Sequence, residues 1–318
     1  MNVNNSNEKL FVVSATPHIR DNSTIETVMR DVLIALTPAA IASVVFFGIR
    51  ALFIITLSIV TCVATEYLFC KIVKKKNTVS DLSCIITGLL LAFNLSAYVS
   101  WWIPIVGGVF AILVCKLLFG GLGQNFINPA LGARAFLLIS YPIEMTRWAP
   151  VDTVSAPTPL AQLQETAPEA INYIQALIGT TSGCIGETSA ILLLLGGIYL
   201  LIRKVITWHV PLSFLGTVFI LSELFSMNSI AVTYPLYELL VGGVLLGAFF
   251  MATDYSSSPV TPKGKIIMGL GCGLLTVIIR HFGGYPEGVS FSILLMNLCV
   301  PIIERYTRPK VFGVGGAC

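Results

Sequence analysis

Several ionisable side chains in this sequence stand in or at the rim of apolar runs, where water is scarce. Arg134 lies about one and a half helical turns into a short apolar stretch that opens with Asn128-Pro129. A cation is costly in hydrocarbon, so it must face the interior of a bundle and meet an anionic or carbonyl partner. Glu66, Lys116, Glu223 and Asp254 lie in or at the rim of other apolar runs. Such groups mark functional paths by default, and Asp254 and Glu223 are candidates for passing a cation. Several are also within snorkelling reach of an interface, where a structural pairing explains them equally well. Two polar segments add further groups. Val151 to Leu160 is a hydroxyl-rich, proline-bordered turn containing Asp152, Ser155 and Thr158. Gly283-Gly284-Tyr285-Pro286-Glu287-Gly288 combines glycines that let backbone approach a ligand closely with the Glu287 carboxylate. A tight turn has the same composition.

Absent motifs narrow the chemistry. There is no Gly-x-x-x-x-Gly-Lys-Ser/Thr, no His-Glu-x-x-His and no Gly-x-Gly-x-x-Gly between a strand and a helix, so the chain is not expected to bind ATP or NAD itself. Eight cysteines are scattered singly, without CxxC or a Cys/His spacing for zinc or an iron–sulfur cluster. Most of them read as small apolar residues. No paired histidines on facing helices suggest haem. The net charge of +3 comes without a basic-aromatic stripe, so nucleic acid is not expected as a partner.

The elements that position these groups are legible in the composition. Hydrophobic residues make up 55% of the 318 positions and charged residues 11%, against the roughly 25% charged of a soluble domain. Mean hydropathy is +0.86. Crossing a hydrocarbon core takes about 20 apolar residues. Spans are expected near 31–49, 51–70, 82–98, 101–119 and 129–141, and again near 189–202, 208–226, 235–252, 264–280 and 288–303. The fold class is therefore an all-α integral membrane protein with about ten transmembrane helices. Residues 1–30 form a polar lead-in along the membrane surface, without the features of a signal peptide. Ser23 and Glu26 form a capping-box pattern that opens the first helix. Residues 31–141 and 189–303 each hold five spans, residues 142–188 form one long proline-interrupted loop, and 304–318 is a tail.

Basic residues gather in alternate loops: Lys71, Lys74, Lys75 and Lys76; Arg203 and Lys204; Lys263 and Lys265; Arg305, Arg308 and Lys310. This places those loops and both termini in the cytoplasm, and the acidic 142–188 loop outside. Gly107-Gly108 through Phe119-Gly120-Gly121 is similar to Gly269 to Gly273 through Phe282-Gly283-Gly284, and Gly88 to Asn94 is similar to Gly247 to Asp254. With five spans in each half, corresponding helices cross in opposite directions, which gives two inverted five-helix repeats with a site expected between them.

Six stretches together resemble a known family across almost the whole chain. They are Ser14-Ala15-Thr16-Pro17-His18-Ile19-Arg20, Asn128-Pro129-Ala130-Leu131-Gly132-Ala133-Arg134-Ala135-Phe136, Asp152 to Thr158, Ala252-Thr253-Asp254, Pro259 to Gly264, and Gly283 to Phe291. The resemblance is to the RnfD family, the D component of the Rnf electron-transport complex, related to the NqrB component of the sodium-pumping NADH:quinone reductase. It implies that Thr158 carries FMN through a phosphoester made by a dedicated flavin transferase, with Asp152 and Ser155 part of the signal that enzyme reads. Ala156-Pro157 stands where the family pattern has Gly-Ala. A hydroxyl in an exposed, proline-bordered loop can reach a transferase, whereas one packed in a helix cannot. Arg134 then either contacts a flavin phosphate or ring oxygen or forms a buried structural ion pair, and Glu287 is a further cofactor-side candidate.

The implied function is electron transfer within an ion-translocating ferredoxin:NAD+ oxidoreductase in the bacterial plasma membrane. The implied partners are a cytoplasmic NAD-binding subunit, iron–sulfur subunits, a second FMN-carrying subunit, two small membrane subunits and membrane lipid. The resemblance also suggests a second, non-covalent flavin such as riboflavin. The competing class is a solute channel or secondary transporter of inverted-repeat fold, which has no need of the Asp152 to Thr158 loop.

Overall fold

A computed structural model describes residues 24–75, 78–146, 173–179, 183–187, 189–227, 234–283 and 288–309. Among these residues the regular structure is helical, with no strand. Helix α1 (Ile25–Phe47) is capped by Thr24, whose side chain accepts from Thr27 N–H. The cap thus falls on Thr24, beside the expected Ser23/Glu26 box. Gly48, at φ 70°, reverses the chain into α2 (Ile49–Val73). A short 3-10 turn (Val79–Asp81) leads to α3 (Ser83–Phe93), and α4 (Trp102–Val109) runs on without a break into a π-helical segment (Phe110–Leu117). Next come α5 (Pro129–Ser140), α6 (Pro142–Met145), α7 (Tyr173–Ile178) and a 3-10 turn (Ile185–Glu187). The second half holds α8 (Ala190–Ile202), α9 (His209–Met227), α10 (Pro235–Leu240) and α11 (Val244–Leu246) with a π-helical segment (Gly247–Met251), then α12 (Pro262–Phe282) and α13 (Val289–Thr307).

Four helices, α1, α2, α12 and α13, are long and apolar enough to cross a membrane. Between them stand shorter apolar helices over Ser83–Phe93, Trp102–Leu117, Pro129–Ser140, Ala190–Ile202 and His209–Phe225. The run expected as one span over 235–252 is broken. Gly242 and Gly243 take φ values of 73° and 70°, and this left-handed turn separates α10 from α11. Only glycine adopts that pair cheaply, so an apolar composition there does not make one continuous helix.

The surface is that of a protein solvated by lipid. Val45, Ile72 and Ile139 are 73%, 78% and 70% exposed, while Glu66 and Lys116 are buried. Apolar side chains facing outward cost nothing against acyl tails, and polar groups must then find partners inside. Helix α2 packs on α3, and α9 on α12; α1 against α8 and α13 against α5 join the two halves of the sequence. Phe93, Leu131, Phe214 and Leu246 fill the centre.

The α2–α3 contact depends on one missing side chain. A Cβ on Gly88 would lie 2.7 Å from Ile59 Cα, and Ser58 Oγ donates to Gly88 O at 2.8 Å. Close approach through small residues is how helices associate where no hydrophobic drive acts between them. Gly88→Ala is expected to part the two backbones and cost about 1–3 kcal/mol, read as a lowered Tm of the purified protein.

Candidate functional site

The interior polar groups begin at α5. Asn128 caps this helix, its Oδ1 accepting from Ala130 N–H (3.1 Å) and Leu131 N–H (3.4 Å), with Pro129 in the first turn where it sacrifices no hydrogen bond. The helix so started carries Arg134 into the interior. Its guanidinium donates to Asn94 Oδ1 at 2.7 Å and to Cys184 Sγ at 3.5 Å, and the Cys184 thiol donates to Asn94 O at 3.4 Å. Asn94 stands at the C-terminal end of α3, and Ile185 N–H donates to the next carbonyl, Leu95 O, at 2.8 Å. Arg134 thereby ties α3, α5 and the far end of the 142–188 connection together. Asn94→Leu is expected to destabilise the fold by about 1.5–3 kcal/mol, the size of a hydrogen bond to a charged group, measured by thermal unfolding.

From Asn94 a chain of polar contacts leads through the second half of the sequence to Asp254. Asn94 Nδ2 lies 3.7 Å from Met251 Sδ, and Asn128 Nδ2 donates to Met251 O at 3.3 Å. With its amide turned to satisfy both ends, Asn297 of α13 accepts from Asn128 N–H (3.2 Å) and donates to Ser257 O (3.0 Å). Ser257 Oγ donates in turn to Asp254 Oδ2 at 2.9 Å, and Ser256 Oγ does so at 3.1 Å. Asp254 lies in the connection after the Gly247–Met251 segment. Burial pushes its carboxyl above the usual range, opposed by the hydrogen bonds from Ser257, Ser256 and Asn125.

Asp254 opens onto a cavity of about 80 Å³ between the two halves of the sequence. Its lining is mixed, with Ser83, Lys116, Asn125 and Asn128 among the polar residues and Ile86, Leu90, Ile206, Phe249 and Phe250 among the apolar ones. Lys116, on the last turn of the Phe110–Leu117 segment, donates to Glu66 Oε2 at 2.6 Å and to Ser83 Oγ at 2.8 Å, and Thr78 Oγ1 donates to Glu66 Oε1 at 2.5 Å. Both charges are buried and mutually satisfied. π-helical turns are rare and occur often at functional sites.

A second cluster lies at the other end of α12. Arg280 donates to Glu238 O (2.8 Å), Val241 O (3.2 Å) and Gly242 O (3.1 Å), holding the carbonyls that the glycine turn leaves free. Ser222 Oγ donates to Glu238 Oε2 at 2.7 Å, and His281 Nε2 lies 3.3 Å from Glu238 Oε1.

Of the residues singled out in the sequence, Arg134, Glu66 and Lys116 are buried and Asp254 is half-buried at the cavity, whereas Glu223 is exposed on α9. Asp152, Ser155, Thr158 and Glu287 lie outside the described residues. Asn94, Asn128 and Asn297 carry much of the interior hydrogen bonding. Neither Asn94 nor Asn297 stands out in the sequence, because an asparagine in an apolar run is too common a sign by itself.

The model of the NQR2, RnfD, RnfE family matches residues 12–313. The chain is 50% identical over 315 residues, covering 97% of both chains, to the D component of the Na(+)-translocating ferredoxin:NAD(+) oxidoreductase complex of Acetobacterium woodii. It is 43% identical over 321 residues, covering 96% of this chain and 97% of the relative, to the D component of the proton-translocating ferredoxin:NAD(+) oxidoreductase complex of Clostridium ljungdahlii. To the D component of the ion-translocating oxidoreductase complex of Escherichia coli it is 35% identical over 349 residues, covering 96% of this chain and 99% of the relative. With a match running through the capped α5, the Asp254 connection and both halves of the bundle, the chain belongs to the NQR2, RnfD, RnfE family.

Proposed function

We infer that this chain serves as the D-type component of an ion-translocating ferredoxin:NAD+ oxidoreductase in the bacterial plasma membrane, carrying electrons through FMN joined to Thr158 by a phosphoester. The observation that carries this reading is the 50% identity, over 97% of both chains, to a component of that complex. FMN supplies reversible one- and two-electron chemistry when bound; the chain supplies placement. Asp152 and Ser155 belong to the segment the flavin transferase reads. Arg134, through Asn94 and Cys184, positions the end of the connection that bears Thr158, and Glu287 is carried as a further cofactor-side candidate by the family resemblance. A second, non-covalent flavin such as riboflavin rests on the family resemblance alone, since the cavity beside Asp254, at about 80 Å³, is too small for its ring system.

Ten crossings in two inverted repeats are the arrangement we favour. In each half the fourth crossing ends in a buried cation tied to the crossings before it: Lys116 to Glu66 and Ser83, Arg280 to the Glu238–Gly242 carbonyls. The basic loops then lie in the cytoplasm with both termini, and Thr158 lies outside. Partners are an NAD-binding subunit, iron–sulfur subunits, a second FMN-carrying subunit and two small membrane subunits.

A polar cavity between halves is also a transporter feature, which keeps a solute channel or secondary transporter as the second reading. Affinity purification of the tagged chain from its native membrane separates them. Recovery of a multi-subunit assembly that reduces NAD+ with ferredoxin supports the redox reading. A chain that purifies alone and conducts solute in vesicles contradicts it.

A further inference from the structure

We propose that the α1–α2 turn and the α3–α4 connection form a binding site for one anionic phospholipid, with Arg50 taking the headgroup phosphate. At this end of the bundle Ile49, Arg50, Phe53, Ala97, Tyr98 and Trp101 line an open pocket of about 390 Å³. The pocket has the two-part character of a lipid. Its lower wall is apolar and faces outward, with Phe53 52% and Trp101 63% exposed, so an acyl chain lying along α2 covers side chains that already face the membrane. Its rim carries a cation. The Arg50 guanidinium is exposed, sits 5.2 Å from the Tyr98 ring centroid, and has no carboxylate within ion-pairing distance among the described residues. The cation–π contact holds the guanidinium over the ring without consuming its N–H donors, which leaves the fork free for two phosphate oxygens.

The level is that of the membrane boundary. Trp101, Trp102, Tyr98 and Tyr141 gather here, with Trp102 and Tyr141 in edge contact at 4.9 Å, and aromatic rings of this kind sit at headgroup depth. Glu144, the carboxylate nearby in sequence to Tyr141, accepts from Ser100 Oγ at 2.7 Å and is not among the residues lining the pocket. An unopposed cation above an apolar wall favours an anionic phospholipid over a zwitterionic one, whose own amine would crowd the guanidinium.

The test is native mass spectrometry of the intact complex after stepwise detergent washing, with phosphatidylglycerol and phosphatidylcholine offered at equal concentration. Wild type is expected to retain one phosphatidylglycerol, and Arg50→Gln to lose it with about tenfold or greater weakening, the size of a charged hydrogen bond. Trp101→Ala provides a second variant that leaves the cation in place and is expected to weaken retention of both lipids. Equal phosphatidylglycerol retention in wild type and Arg50→Gln overturns the proposal, as does retention without headgroup preference. A photo-crosslinker at Trp101 that labels only another protein of the complex, and no lipid, overturns it too, because the pocket is then a protein–protein contact.

Discussion

Thr158→Ala is expected to bring ferredoxin-driven NAD+ reduction by the complex to background while leaving the complex assembled. The phosphoester needs an oxygen nucleophile on the loop, and alanine supplies none. A carrier in series cannot be bypassed without a second route of comparable reach, so its loss appears in turnover more than in binding of either substrate. Substrate sites on other subunits stay as they were, and assembly is expected to hold, because the Arg134–Asn94–Cys184 set that ties the described end of this connection to the bundle is untouched. Thr158→Ser keeps the hydroxyl and should retain part of the activity. The readout is NAD+ reduction in membranes, with subunit content measured alongside. Wild-type turnover by the alanine variant would remove FMN on Thr158 from the electron path.

The largest stability effect is expected at Glu66 and Lys116. Each is buried, and each satisfies the other: the ammonium also meets Ser83 and the carboxylate also meets Thr78. Lys116→Met strands a carboxylate away from water, for which about 3–5 kcal/mol is the usual cost. Glu66→Gln leaves the ammonium with a neutral partner and should cost less than that. Removing both charges together, as Glu66→Gln with Lys116→Met, is expected to recover much of the loss, since a buried pair and a neutral pair of similar volume are often close in stability. Thermal unfolding of the purified complex measures the cycle. If the two single losses simply add in the double variant, the pair is not coupled and the arrangement around the Phe110–Leu117 segment is wrong.

Much of this architecture is legible in the sequence because membrane length is a strong constraint. The apolar runs around α1, α2, α12 and α13 are read correctly from length and hydropathy alone. The start of α5 is legible too, since Asn128 followed by Pro129 is a local signal with a local cause. Other features depend on contacts that no local pattern encodes. Glu66 and Lys116 are 50 positions apart and read as two separate charges until α2 and the π-helical segment lie side by side. Arg134 announces a need for a partner, but Asn94 is 40 positions away at a helix end. The break between α10 and α11 hides in an apolar run because hydropathy does not register the positive φ of Gly242 and Gly243. Nor does hydropathy distinguish the π turns at Phe110–Leu117 and Gly247–Met251 from α-helix. The family resemblance supplies what these patterns lack, a reason for the hydroxyls between Asp152 and Thr158.

Peptide mass spectrometry decides whether Thr158 carries covalent FMN. The chain would be purified from its native membrane beside Thr158→Ala, digested, and followed by in-gel flavin fluorescence. An FMN-sized mass increment is expected on the peptide containing Thr158, with fluorescence on the band, both absent from the variant. An unmodified Thr158 peptide from a host with an active flavin transferase would contradict it.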